Sequence, residues 1–528
     1  MGVIMKQTIS ALSTYFKKHP KLDLVILFVG LAAFLTITLI NAPRASIWFD
    51  EAFSAYIIQF SFWDIARYTA TDVHPPFYYW LLKVWTSIFG TTEIGYRSLS
   101  IVLGAATAVV AFFLSRKLFG RSVAWLSFIF IVLSPMLIRY SDEARMYTLA
   151  ALIVFTATFV LVKAKETNQR KYWVWYAVLV SLGMWTHYFT ALAWLAHLVW
   201  HGTESWHKGI KPKEFWSKVF AKPWILTYAL AVGLFLPWLP FMIKQLTVVQ
   251  SAGFWIGPVG VDTPTNYITN YFYYLEHGQV QSWLALAMIF VVLVVIAVLP
   301  KAYVALKTKE KRSFLLISAL AFAPPVLLFF ASLPPLRSSF VDRYLIPAVV
   351  ALSIFLAIVL IKGTRKWHPL LRTLPVLVVV GMMIFGITNV YHYGNFNKNS
   401  NTHILTRQVV EAAQDASPIG TPIIAASPWI FYEAAPYSTP EHPIYFMDEG
   451  TRYEFGSLDM LKYTDLHKIK DIAAFGKEHP TIWYLGGTSE NDIAPYDASW
   501  KKIETVSATS DITGKTIYKA TAYKISAE

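Results

Sequence analysis

Eleven apolar blocks punctuate the sequence, near residues 22–42, 98–115, 122–138, 148–162, 172–186, 189–202, 223–243, 281–300, 313–333, 344–361 and 373–391. Most of them approach the roughly 20 residues that an α-helix needs to cross a bilayer. Their hydrophobicity comes in runs, without the spacing of a one-sided helix or strand. Only 15% of the residues are charged, against about 25% in ordinary soluble chains. These features predict a polytopic α-helical membrane protein of about 11 spans and exclude a soluble enzyme or a disordered chain. The first block follows Lys17, Lys18 and Lys21 and exceeds a signal-peptide core in length, so it is expected to stay as an uncleaved span.

The segment 76–89 is apolar but short. As a helix of 1.5 Å rise it covers only about 21 Å, less than a hydrocarbon core of roughly 30 Å. With this segment lying along the membrane surface, one set of loops holds 25 Lys and Arg and the opposite set holds nine. Basic loops stay in the cytoplasm, so the N-terminus is expected inside. The first loop, about 43–96, a second long loop, about 244–280, and everything after residue 391 are expected outside.

Residues 392–528 differ in composition. They carry 12 basic and 17 acidic residues, whereas residues 1–391 carry 34 and 15. The net charge of +14 therefore belongs to the membrane part and does not point to nucleic acid. The division expected is a membrane domain, 1–391, and a small extracytoplasmic α/β domain, 392–528. Within the tail, helices are expected at His403–Ala416 and Leu458–Phe475, and strands at Pro422–Ala426, Thr481–Leu485 and Thr516–Ile525. The chain has no Cys, which removes disulfides, thiolate metal sites and Cys nucleophiles.

Ten of the fifteen acids in the membrane part fall on the outer side in this topology. Asp50 and Glu51 stand just beyond the first span, where a carboxylate beside apolar surface can serve as a general base. His74 precedes Pro75 and Pro76 near a helix start, a place suited to an anionic group such as a lipid phosphate. Asp142, Glu143 and Arg145 crowd a turn between two spans, where charge must be solvated, paired or functional. An i,i+3 pair of Asp142 and Arg145 on a helix is the structural alternative. His187 lies in a short outer turn, and Arg343 and Tyr344 flank the last one. Arg343 can grip a phosphate through two N–H groups or simply snorkel from a helix end. Phe254 and Trp255 offer aromatic surface to a sugar or lipid. No GxGxxG stretch and no metal-binding DxD of the soluble-transferase kind occurs.

The segments WFDEAFS, DVHPPFYYWLLKVW, FGTTEIGYRSLS, SPMLIRYSDEARMYTL, MWTHYF, LPWLPF, FWIGP and DRYLIPA follow one another in this order. Over about residues 45–350 the chain resembles glycosyltransferase family 39, the dolichyl-phosphate-mannose–protein mannosyltransferase-like proteins of the C-type membrane superfamily. That resemblance implies inverting transfer of a sugar from a polyprenyl phosphate to an acceptor hydroxyl, outside the membrane. It implies Asp50 as base with Glu51 in support, His74 at the donor phosphate, and Asp142, Glu143 and Arg145 shaping the site. His187, Arg343 and Tyr344 match recurrent positions for sugar or phosphate. The expected partners are the bilayer, the lipid-linked donor, and a lipid, protein or cell-wall glycan acceptor. No cofactor is expected, and a divalent metal stays open. Two other readings remain: a glycolipid transporter or flippase, which predicts charges deep within the spans, and a non-catalytic membrane glycan-binding protein.

Overall fold

Apolar runs this long can satisfy their backbone polar groups in lipid only as helices, and each of the eleven blocks is helical. The structure, a computed structural model, describes residues 20–206, 209–252, 256–275, 282–393, 396–397, 402–448, 459–462, 467–487, 500–509 and 516–524. Lys17 and Lys18, the aromatic pair Phe254 and Trp255, and Glu276 lie outside the described residues.

Among the described residues, eight helices are long and apolar enough to cross a membrane, from Asp23–Asn41 to Pro369–His392. A ninth span results if Arg121–Val132 and Pro135–Ser141, bent by 54°, are taken together. Pro135 lacks the N–H that would continue the first helix, and Ser134 caps the second by accepting from the Leu137 amide. The two remaining blocks form helices of 17 and 16 residues, Arg170–Thr186 and Thr190–Ser205. These rise only about 24–26 Å, so they fall short of a full hydrocarbon core. The chain is a multi-pass membrane protein.

The chain packs as two compact units. The first comprises Met1–Leu39, Ser100–Asp142 and Met146–Tyr391. Its most enclosed helix is Ile346–Gly363, where nearly every side chain is buried. At Gly363 a methyl group would meet the Val298 carbonyl oxygen at 2.7 Å, so that helix and Ser282–Ala305 approach to backbone contact.

The second unit comprises Ile40–Leu99, Glu143–Arg145 and His392–Glu528. Its last boundary coincides with the composition change after residue 391. The unit also takes in the first loop and three residues of the 142–147 turn, which composition alone assigns to the membrane part. The loop folds as helices α1 (Phe49–Ile57), α2 (Phe62–Thr69) and α3 (Phe77–Phe89), followed by the start of α4 (Glu93–Phe119). Ser61 caps α2 by accepting from the Asp64 amide. The α3 residues Trp80 and Lys83 donate to the carbonyls of Phe62 and Ile58. Gly90 ends α3 at φ +83°, a conformation that favours glycine.

The tail is a small α/β fold. Helices α5 (Thr406–Asp415) and α6 (Pro428–Ala434) accompany a six-stranded sheet. Its strands are β1 (Ile423–Ala425), β2 (Ile444–Met447), β3 (Lys468–Ile469), β4 (Thr481–Gly487), β5 (Lys501–Thr509) and β6 (Thr516–Lys524). The spatial order is β3-β2-β1-β4-β6-β5, with β3, β2, β1 and β4 parallel and β6 and β5 antiparallel at one edge. Ile424 pairs with Tyr445 on one side and Tyr484 on the other. With Met447, Ile469, Ile482 and Tyr523 it forms the core beside the sheet.

The helix expected over Leu458–Phe475 is not one element. It divides into Asp459–Lys462, strand β3 and Ile472–Glu478. Asp471 accepts from the amides of Ala473 and Ala474 and so starts a new helix. Strands β2 and β5 carry no clear alternation and are visible only in the fold.

Candidate active site

Within the second unit, the backbone of residues 42–48 leads into α1, whose first turn presents Asp50 and Glu51. Acidic residues there complement the positive end of the helix dipole. The two carboxylates meet opposite surroundings. Asp50 is half-buried. Glu51 is 1% exposed and is gripped by Arg97 of α4, Nε to Oε1 at 2.8 Å and Nη2 to Oε2 at 2.5 Å. Oε1 of Glu51 also accepts from the Ala144 amide at 2.9 Å. Such a two-pronged pair is strong and directional. Here it holds the Glu51 side chain in place, and the half-buried Asp50 is the more accessible acid.

Arg97 has a second task. Its Nη1 donates to the carbonyls of Ala42 and Ala45, and Nη2 to that of Ser46 at 3.1 Å. One fully buried guanidinium thus fastens both the approach to α1 and its first turn. Sequence reasoning counted Arg97 only among the charges. The signal was an arginine at the head of an apolar span, where charge is costly unless paired.

Residues 142–145 are not helical; Glu143 and Arg145 are joined by a tight turn with the Arg145 amide on the Glu143 carbonyl at 2.7 Å. The i,i+3 helical pair of Asp142 and Arg145 is therefore not the arrangement formed. Arg145 instead reaches the first loop. Its Nη1 donates to the Asp50 carbonyl at 3.2 Å and to the Tyr79 hydroxyl at 2.9 Å, and Nη2 lies 3.3 Å from Nδ1 of His74. The same Nδ1 lies 3.3 Å from Asp72 Oδ2. These two contacts exclude one another as hydrogen bonds. A proton on Nδ1 serves Asp72, whereas a bare Nδ1 accepts from Arg145. Burial, with help from Arg145, lowers the pKa of His74, against the opposing pull of Asp72 and Asp50. The imidazole is thus kept neutral near pH 7, and the charge at this place comes from Arg145.

The other sequence candidates belong to the first unit. Asp142 is fully buried, and its amide closes the helix Pro135–Ser141 on the Ile138 carbonyl. His187 and Tyr344 face each other with ring centres 4.7 Å apart, and Phe189 stacks on Tyr344 at 5.0 Å. The Arg343 guanidinium stands 5.8 Å over the ring of Tyr147. Tyr147 and Phe189, which lie in the quoted motifs but carried no role in the sequence reading, complete this aromatic cluster. Among the described residues no group of three or more His, Asp or Glu side chains is gathered as a metal site.

Residues 73–241 match the family model of dolichyl-phosphate-mannose-protein mannosyltransferases. Over this stretch, about a third of the chain, the protein is similar to that family. The matched stretch holds His74, Tyr79, Arg97, Glu143, Arg145 and His187, while Asp50 and Glu51 precede it. A likeness of fold extends further than this stretch. ArnT from Cupriavidus metallidurans bound to undecaprenyl phosphate shares it with a TM-score of 0.60 at 13% identity, over 94% of this chain and 98% of that one. The apo state of the same protein gives 0.59 at 14% identity, over 95% and 98%. An uncharacterized protein of Aquifex aeolicus is 30% identical over 111 residues, 20% of this chain. The match spans about a fifth (21%) of that relative's length.

Proposed function

We propose that this chain is a C-type membrane glycosyltransferase that moves a sugar from a polyprenyl-phosphate donor to an acceptor hydroxyl on the extracytoplasmic face, with inversion at the anomeric carbon. The observation that carries the reading is the division of labour between adjacent acids: Glu51 is buried and neutralised by Arg97, and Asp50 is left accessible beside Arg145 and His74. Asp50 takes the acceptor's hydroxyl proton. The acceptor oxygen forms the new bond to the anomeric carbon as the bond from that carbon to the phosphate oxygen breaks. The electron pair leaves with the polyprenyl phosphate, which needs no general acid. Arg145 supplies positive charge as the phosphate departs, a form of stabilisation commonly worth a few kcal/mol per donor. Neutral His74 offers a hydrogen bond there without adding charge. Arg343, with His187 and Tyr344, is assigned to sugar or phosphate contact.

The lopsided distribution of basic loops supports a cytoplasmic N-terminus and an outward tail. The reading is tested by incubating membranes that contain the full chain with radiolabelled polyprenyl-phosphate sugars. One donor of the panel should lose its label to an acceptor, and the product should carry the inverted anomeric configuration. Consumption of no donor by folded protein in membranes that supply acceptor contradicts it.

A further inference from the structure

The approach to α1 is held from two directions inside the second unit. Arg97 binds it through backbone carbonyls, as described above. The tail holds residues 43–49 of the same approach from elsewhere in the chain. The hydroxyl of Tyr437 accepts from the Ile47 amide at 2.8 Å and donates to Glu93 Oε1 at 3.0 Å. Arg407 pairs with the same Glu93 oxygen at 2.7 Å, and its Nη2 reaches the Pro43 carbonyl at 3.1 Å. The Ser46 hydroxyl donates to Gln408 and accepts from the Arg407 amide, both at 3.0 Å, while the Ser46 amide donates to the Ile404 carbonyl. Phe49, the neighbour of Asp50, packs against Trp429 at 4.6 Å and Tyr432 at 6.0 Å.

These contacts share a purpose in the geometry. Ile47 stands three residues before Asp50, and Glu93 stands one helical turn before Arg97 on α4. Tyr437 therefore ties the segment that delivers the acid to the helix that carries its anchor. Burial first, then Glu93, raises the pKa of Tyr437, so its hydroxyl keeps the proton that Glu93 accepts.

We infer that Tyr437 and Arg407 of the tail are positioning residues for Asp50, so that the tail completes the active site as well as forming a domain of its own. The inference rests on the transferase reading given above. It assigns the tail a role in the rate of the chemical step, distinct from recognition of an acceptor. A reacting group displaced by about 1 Å can cost ~10²-fold, and loosening two hydrogen bonds short of that should cost about tenfold.

The test uses the full chain in detergent or nanodiscs with Tyr437→Phe, Arg407→Ala and Arg407→Lys. Two readings are taken: kcat and donor KM per mole of folded protein, and hydrogen exchange of a peptide covering residues 44–52. Tyr437→Phe should speed exchange in that peptide and lower kcat by about tenfold, with donor KM held within about twofold. Arg407→Lys should recover part of what Arg407→Ala loses, because the charge facing Glu93 remains. Wild-type turnover matched by Tyr437→Phe and Arg407→Ala overturns the inference alone. So does exchange at 44–52 that neither variant changes. A folded wild-type chain that turns over no donor overturns the transferase reading and this inference with it.

Discussion

Replacing Arg97 by Met should be among the most damaging single changes in the second unit. The Glu51 and Arg97 side chains are each 1% exposed, so the variant leaves a carboxylate sealed from water with its cation removed. Breaking a buried pair from one side costs about 3–5 kcal/mol. The carbonyls of Ala42, Ala45 and Ser46 lose their donor in the same step. Whole domains are stable by only about 5–15 kcal/mol, so Arg97→Met should bring the unit near its threshold. Adding Glu51→Gln removes the orphaned charge while keeping an acceptor for the Ala144 amide. The double variant should therefore be about 2 kcal/mol or more better than the single one. The assay is the midpoint of thermal loss of monodisperse protein for wild type, both single variants and the double variant. A single variant as stable as wild type, or a double variant no better than Arg97→Met, refutes the claim that this pair holds the first turn of α1.

Other expectations follow from the same contacts. His74 has its pKa lowered in the fold, chiefly by burial, while the unfolded chain takes up a proton near 6.5. Above that pH the neutral ring makes no pH-dependent demand, and below it the unfolded state binds the extra proton and stability falls. The thermal midpoint of wild type should thus drop more steeply from pH 7.5 to 5 than that of His74→Gln; equal slopes speak against a neutral buried ring. Gly363→Ala drives a methyl into the Val298 carbonyl and should cost about 1–3 kcal/mol, read as a lowered midpoint with the tail still folded. A neutral outcome shows that the two helices can part without cost.

Much of this architecture is legible in the residues because hydrophobic length is a strong signal. Each apolar block is a helix, and the short segment at 76–89 is the helix α3. Strands β1, β4 and β6 announce themselves as β-branched and aromatic runs. What stayed hidden depends on contacts distant in sequence. Strands β2 and β5 are fixed by their neighbours in the sheet. The helix over Leu458–Phe475 fails because Asp471 caps a new one, a local choice that apolar spacing does not register.

The site divides in the same way. Asp50, Glu51, His74 and Arg145 stand out as charges at the ends of apolar runs, and the fold brings all four into one unit. Their separate roles could not be read, since Asp50 and Glu51 are adjacent and chemically alike. The difference comes from Arg97, 46 residues further on, and from the turn that aims the Ala144 amide at Glu51. The tail's hold on residues 43–49 is of this kind too. Tyr437 and Ile47 are 390 residues apart, and no local pattern marks either of them.

The most direct test of Asp50 as the base compares wild type with Asp50→Asn for donor binding and single-turnover transfer, at equal amounts of folded protein. The amide keeps the size of the side chain and cannot take the proton. Donor affinity should hold within about twofold while transfer falls by ~10²–10⁴-fold, the range typical of a lost general base. Transfer by Asp50→Asn at the wild-type rate contradicts the assignment.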